Sequence, residues 1–131
     1  MSLIVMKFGG TSVANISKIN NVANIVENEL KENKLIIVLS AMAGVTNKMQ
    51  EYIDEINSDE KIENDLILTS GENVTIGILS AILKKRKIKS IPLLGWQIPI
   101  ITDNNHQNSK ILNIDNDRIN KFLKQHDVIV L

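Results

Sequence analysis

Five consecutive apolar residues, Leu35-Ile36-Ile37-Val38-Leu39, leave a strand no polar face to turn toward water. Such a run belongs to a strand covered on both faces, as in a parallel sheet. The residues before it fit that requirement. Residues 2–7 read as a first strand, and from Val13 the apolar positions Ile16, Ile19, Val22, Ala23, Val26 and Leu30 recur every three or four residues, which predicts a helix with one buried stripe. Asn15 is placed to cap that helix, and Glu32-Asn33-Lys34 turns the chain back. Strand, crossover helix and second strand make a βαβ unit, so the fold class is α/β with a largely parallel sheet.

The alternation continues beyond it. The loop Ser40 to Asn47 leads into a helix carrying Met49, Tyr52, Ile53 and Ile56, with Thr46 as its expected cap. A longer helical region runs through Leu66, Ile67, Val74, Ile78, Leu79, Ile82 and Leu83, and Gly71 interrupts it at a cost of about 1 kcal/mol relative to alanine. A strand near Ile91 to Leu94 and a less regular segment from Pro99 to Asp103 follow. Asp115 caps a last short helix with Ile119, Phe122 and Leu123, before a final strand at Asp127 to Leu131.

Composition excludes several classes of function. Lys plus Arg and Asp plus Glu both total 15, so no global field draws the chain to nucleic acid or to an acidic membrane. Lys84-Lys85-Arg86-Lys87 reads as cations at a helix C-terminus, where the macrodipole favours them, because no aromatic platform stands beside it. With no cysteine there is no disulfide framework, thiol nucleophile or cysteine-bound zinc. No apolar stretch in this reading approaches the roughly 20 residues that span a bilayer, and a cytoplasmic protein is expected.

Chemistry concentrates in Lys7-Phe8-Gly9-Gly10-Thr11-Ser12, directly behind the apolar residues Leu3 to Met6. Glycine lets the backbone approach a ligand closely, so that successive N–H groups converge on phosphate oxygens. Lys7 adds a point charge, and Thr11 and Ser12 add hydroxyl donors. The run lacks the later Gly-Lys-Ser/Thr of a P-loop and the third glycine of the dinucleotide fingerprint. By itself it is equally a turn after a strand. Glu72, in a stretch of small and apolar residues, is expected to be partly buried and to need a cationic or donor partner. Loops that follow parallel strands open on one edge of the sheet, which puts residues 7–12 and 40–47 together.

The run resembles the opening motif of the aspartate kinases, members of the amino-acid kinase family. Three further stretches follow in the family's order: Leu39 to Asn47, then Thr69-Ser70-Gly71-Glu72, then Gly95-Trp96-Gln97 with Ile101-Thr102-Asp103 and His106. The resemblance implies a three-layer amino-acid kinase sandwich, with residues 1–131 as its N-terminal lobe and the nucleotide half and regulatory ACT domains absent. It implies that Lys7, Phe8, Gly9, Gly10, Thr11, Ser12 and Ser40 bind the phosphates of ATP, with Lys7 as the catalytic cation. Thr46, Asn47 and Glu72 then bind L-aspartate, Glu72 through the amino group. Magnesium enters with ATP, and no residue here is assigned to it. The implied reaction makes 4-phospho-L-aspartate, the first step toward lysine, threonine, methionine and diaminopimelate, with no measurable activity expected of the isolated half.

Two other readings stay open. The chain is a noncatalytic remnant, or a subunit of a separately encoded second half, a reading prompted by an expected unpaired strand at Val128 to Leu131. Alternatively it is another amino-acid kinase, acting on glutamate, acetylglutamate or uridylate, although Thr-Ser after Gly-Gly and the Ser-Gly-Glu motif argue against this. A homo-oligomer is compatible with each reading.

Overall fold

The computed structural model describes residues 2–131. In chain order its first elements are β1 (Ser2–Phe8), α1 (Ile16–Glu29), β2 (Asn33–Leu39), α2 (Val45–Glu55), α3 (Lys61–Leu68) and α4 (Ser70–Lys85). They are followed by β3 (Ser90–Pro92), β4 (Ile100–Thr102), β5 (Ile111–Ile114), α5 (Asn116–Leu123) and β6 (Val128–Val130).

The main sheet is parallel throughout, in the order β1-β2-β6-β3. β2 therefore has a neighbour on each side, as its unbroken apolar run requires. Leu35, Ile37 and Leu39 face a layer formed by α1 and α4, where they meet Ile19, Val22, Val26, Leu79 and Leu83. Ile36 and Ile129 face the other way, against Leu93, Ile98 and Leu123. The outcome is three layers, with two helices on one face and α5 on the other. The second cover stops short of β1, where Leu3 is 49% and Val5 63% exposed.

The caps show why the helices start where they do. Asn15 Oδ1 accepts from the Lys18 N–H at 2.9 Å, and Asp115 Oδ1 accepts from the Arg118 N–H at 2.9 Å. Each satisfies one of the donors a helix start leaves orphaned. Lys34 donates to the carbonyls of Leu123, the last residue of α5, and of His126 beyond it, a cation at the negative end of that helix. The buried hydroxyls of Ser80 and Ser90 lie 3.1 Å apart and pin α4 to β3.

Several expectations need correction. Thr46 caps nothing: Gly44, at φ 82°, precedes α2, and Thr46 lies within the first turn. A left-handed turn at that point favours glycine, and this moves the helix start two residues earlier. The long helical region is two helices meeting at Thr69, and Pro99 to Asp103 includes β4 of an antiparallel hairpin with β5. The final strand is not an edge. β6 lies between β2 and β3, with Val128, Ile129 and Val130 all fully buried, and the edge strands of the sheet are β1 and β3.

The expectation about membrane-length segments also changes. Lys61–Lys85, covering α3 and α4, is long and apolar enough to cross a bilayer by length and composition. In the fold, Ile76, Leu79 and Leu83 of this segment pack into the core beside the sheet.

The basic run after α4 has a structural task. Arg86 donates to Asn24 Oδ1 at 2.8 Å and Glu27 Oε2 at 3.0 Å, and its other amino group reaches Asn20. One guanidinium thus ties the end of α4 to α1. Arg86→Ala is expected to cost about 1 kcal/mol, most of it from lost hydrogen bonds because the Glu27 end is exposed. Urea denaturation measures this, and Arg86→Lys, which lacks the planar fork, should recover only part of the loss.

Candidate functional site

Three segments distant in sequence meet at one buried alanine on the carboxyl edge of the sheet. β1 and β2 end side by side, with the Ser40 N–H donating to the Phe8 carbonyl at 3.1 Å. From β1 the chain turns through Gly9 and Gly10, where Ser12 N–H donates to Gly9 O at 2.9 Å and Val13 N–H to Gly10 O at 3.3 Å. Val13, fully buried, anchors that turn to the core. A Cβ at Gly10 would lie 3.1 Å from the Ala41 carbonyl oxygen. At Gly71, in the first turn of α4, a Cβ would lie 2.8 Å from Ala41 Cβ and 2.9 Å from Val45 Cγ1. Both glycines are there because Ala41 lies against them. The cost of a glycine at position 71, within the first turn of α4, therefore has its reason in packing.

Glu72 follows from that contact. It is half-buried, and its Oε1 accepts from the Ala41 N–H at 3.3 Å, so it finds the donor partner a buried carboxylate needs. It also lines a cleft of about 540 Å³ between the ends of β2 and β6, the start of α4 and residues 93–100. The cleft wall is largely apolar, including Leu39, Ile76 and Leu93, with Leu66 and Trp96 at 75% and 76% exposure on its rim.

The remaining predicted residues lie around this junction. Gly9, Thr11 and Ser12 are exposed, and a Cβ at Gly9 would meet nothing within 4 Å. The Gly10 and Thr11 N–H groups have no acceptor among the described residues, so this turn presents free donors and open space to a ligand. With the Thr11 and Ser12 hydroxyls and no carboxylate in the turn, the donor set suits phosphate oxygens. Lys7 is exposed and in no ion pair among the described residues. Its side chain falls on the face of β1 opposite to Phe8, by the alternation of a strand. Ser40 is half-buried at the end of β2, and Thr46 and Asn47 are exposed on the first turn of α2. Val45, against Gly71, sets that turn beside the start of α4. Lys48 is engaged within its own helix: Glu51 at 2.8 Å raises its pKa through the hydrogen bond they share.

Sequence reasoning missed the cleft lining, Leu66 and Asn73 among it. Gly95-Trp96-Gln97 carried a usable signal, since a loop that follows a parallel strand belongs at the binding edge. The Trp96 ring projects from the rim into solvent. His106 Nδ1 lies 2.8 Å from Asp65 Oδ2, which ties the hairpin to α3. A cavity of about 900 Å³ opens at the opposite end of β1 and β2, beside α5 and away from every motif loop. Among the described residues no group of three His, Cys, Asp or Glu is placed to hold a metal ion.

A parallel sheet between two helical layers thus carries, at one edge, a glycine turn with free donors and a nearby carboxylate. The chain belongs to the amino acid kinase family, whose profile matches residues 2–131. It is 43% identical over 136 residues to the aspartokinase of Rickettsia felis, a match covering 100% of this chain and 34% of that protein. To the aspartokinase of Geobacillus stearothermophilus it is 38% identical over 133 residues, covering 100% of this chain and 33% of the relative. The chain thus spans about a third of the length of these relatives. Aspartate kinase from Synechocystis superposes with a TM-score of 0.84 at 31% identity, covering 98% of this chain and 21% of that one. Escherichia coli aspartokinase III, solved with aspartate and ADP, gives 0.76 at 19% identity over 98% of this chain and 40% of its own, a likeness of fold.

Proposed function

We propose that this chain supplies the phosphate turn and the aspartate-ammonium contact of an aspartate kinase, which transfers the terminal phosphoryl group of ATP to the side-chain carboxylate of L-aspartate. The observation that carries the proposal is the junction at Ala41, which puts the Gly9–Gly10 turn and Glu72 on a single edge. In this reading the free amides after Gly9, with Lys7, Thr11 and Ser12, hold the phosphates. Lys7 offsets charge on the transferring group, since phosphoryl transfer is catalysed mainly by positioning and electrostatics. Phe8 and Ser40 set the spacing between the two loops through their backbone bond. Glu72 takes the ammonium group of aspartate, with Thr46 and Asn47 contacting the same substrate. Magnesium, entering with ATP, would neutralise charge on the phosphates.

The product, 4-phospho-L-aspartate, would feed lysine, threonine, methionine and diaminopimelate synthesis, in the cytoplasm. A third of a kinase leaves much of the nucleotide unenclosed, and positioning groups that act as a unit fail together. No turnover is expected of the isolated chain with ATP, magnesium and aspartate, and ADP release measured by a coupled assay checks this.

Binding is testable without turnover, because Trp96, on the rim of the cleft, is the chain's only tryptophan. Titration with L-aspartate is expected to change its fluorescence saturably. Glu72→Gln should weaken binding by about 10- to 100-fold, the worth of one charge-assisted hydrogen bond. Equal affinity in the variant, or a preference for glutamate, acetylglutamate or uridylate, would overturn the assignment.

A further inference from the structure

Gly95-Trp96-Gln97 follows β3 at the binding edge of the sheet, and the kinase reading gives it no task. Its geometry is specific. Gln97 N–H donates to the Leu94 carbonyl at 2.8 Å, and its side-chain Oε1 accepts from the Leu94 N–H, also at 2.8 Å. One glutamine thus takes both main-chain polar groups of Leu94 and closes the turn twice, with Gly95 and Trp96 at the tip. The flanks are fixed as well. Leu93 N–H donates to Val130 O at 2.9 Å, Ile98 is fully buried, and Asp115 N–H donates to Pro99 O at 3.2 Å. From α5, Arg118 Nε donates to the Gln97 carbonyl at 3.2 Å, while its guanidinium lies 5.7 Å from the centre of the Phe122 ring.

Gly95 and Trp96 line the same cleft as Glu72, whereas Gln97 and Arg118 do not. An indole on a loose turn would fold onto the apolar wall of Leu39, Ile76 and Leu93, because that removes its surface from water. Trp96 instead stays 76% exposed at the rim, with the cleft open beside it. The closed turn holds the ring off that wall. We infer that Gln97 is a positioning residue: through its clamp on Leu94, braced by Arg118, it holds Trp96 as a preset wall of the Glu72 cleft and keeps the cleft open to its ligand. Ordering a side chain at the moment of binding lowers affinity, and a wall set in advance avoids that loss. The inference rests on the kinase reading for the identity of the ligand, L-aspartate.

Calorimetric titration of the chain with L-aspartate, paired with the fluorescence anisotropy of Trp96, tests this. Gln97→Met keeps the length of the side chain but removes its acceptor. It should weaken binding by about 3- to 10-fold, the worth of ordering one side chain, and lower the anisotropy as the ring is freed. Gln97→Glu retains an oxygen for the Leu94 N–H and should restore most of both. Arg118→Ala removes only the outer brace, and its loss should be smaller. A purely structural role would not produce coupling between Gln97 and the ring. In the Trp96→Ala chain, therefore, Gln97→Met should weaken binding no further, because its effect passes through the indole. Unchanged affinity and anisotropy in Gln97→Met would overturn the inference, and so would a loss of affinity that persists in full without Trp96. A parent chain that binds no L-aspartate, while Gln97→Met still frees the ring, would remove the aspartate reading and leave the clamp in place.

Discussion

In a hybrid in which this chain replaces the matched third of the Rickettsia felis aspartokinase, Lys7→Ala should lower the rate of phosphoryl transfer by about 100- to 1,000-fold, the usual cost of one electrostatic donor at a transferring group. Stability should scarcely move. Lys7 is exposed and in no ion pair among the described residues, and substitutions at such positions generally stay within about 0.5 kcal/mol. Steady-state kinetics and a denaturation curve on the same sample separate the two effects. A parallel fall in both would reduce Lys7 to a structural residue. Lys7→Arg keeps the charge but spreads it over a planar fork, so it should restore only part of the rate.

Gly71→Ala tests the junction itself. Alanine in a helix ordinarily gains about 1 kcal/mol over glycine, so on an open surface this change would stabilise the fold. Here the new methyl group meets Ala41 Cβ at 2.8 Å and Val45 Cγ1 at 2.9 Å, and neither atom is the far end of a flexible side chain. Overpacking of this kind costs about 1–3 kcal/mol, and the net outcome should be a loss of up to about 2 kcal/mol. The displacement also pulls Glu72 away from the Ala41 N–H. Gly71→Ala should therefore weaken aspartate binding at Trp96 as well as lower the urea midpoint. Gly77→Ala, in the same helix but with nothing within 4 Å of the added carbon, is the matched control and should be neutral or stabilising.

The βαβ unit was legible because its signals are local. An unbroken apolar run, a stripe of period 3.6 and the Asn15 cap each depend on neighbouring residues, and the structure contains all of them. The order of strands depends on contacts far apart in sequence, which is why β6 read as an edge and is central. The β4–β5 hairpin was invisible for another reason. Ile101, Ile111, Leu112 and Ile114 are all exposed, so burial imposes no alternation on them. At the candidate site the half-burial of Glu72 could be read from its apolar neighbours. Its partner could not, because the donor is a backbone amide, present at every residue but proline. Gly71 stood out as a cost without an explanation, and only the third dimension supplies Ala41.

The central place of β6 also bears on how the chain is made. β1, α1 and β2 can associate as soon as they leave the ribosome, but β3 has no partner in the sheet except β6. At about 5–20 residues per second, β3 waits seconds for that partner to be synthesised. During that interval the hydrophobic side of α4 has only part of a sheet beneath it. A pause in translation between β3 and β6 would lengthen the life of that half-built intermediate, and the nascent chain would be most open to chaperones at this stage.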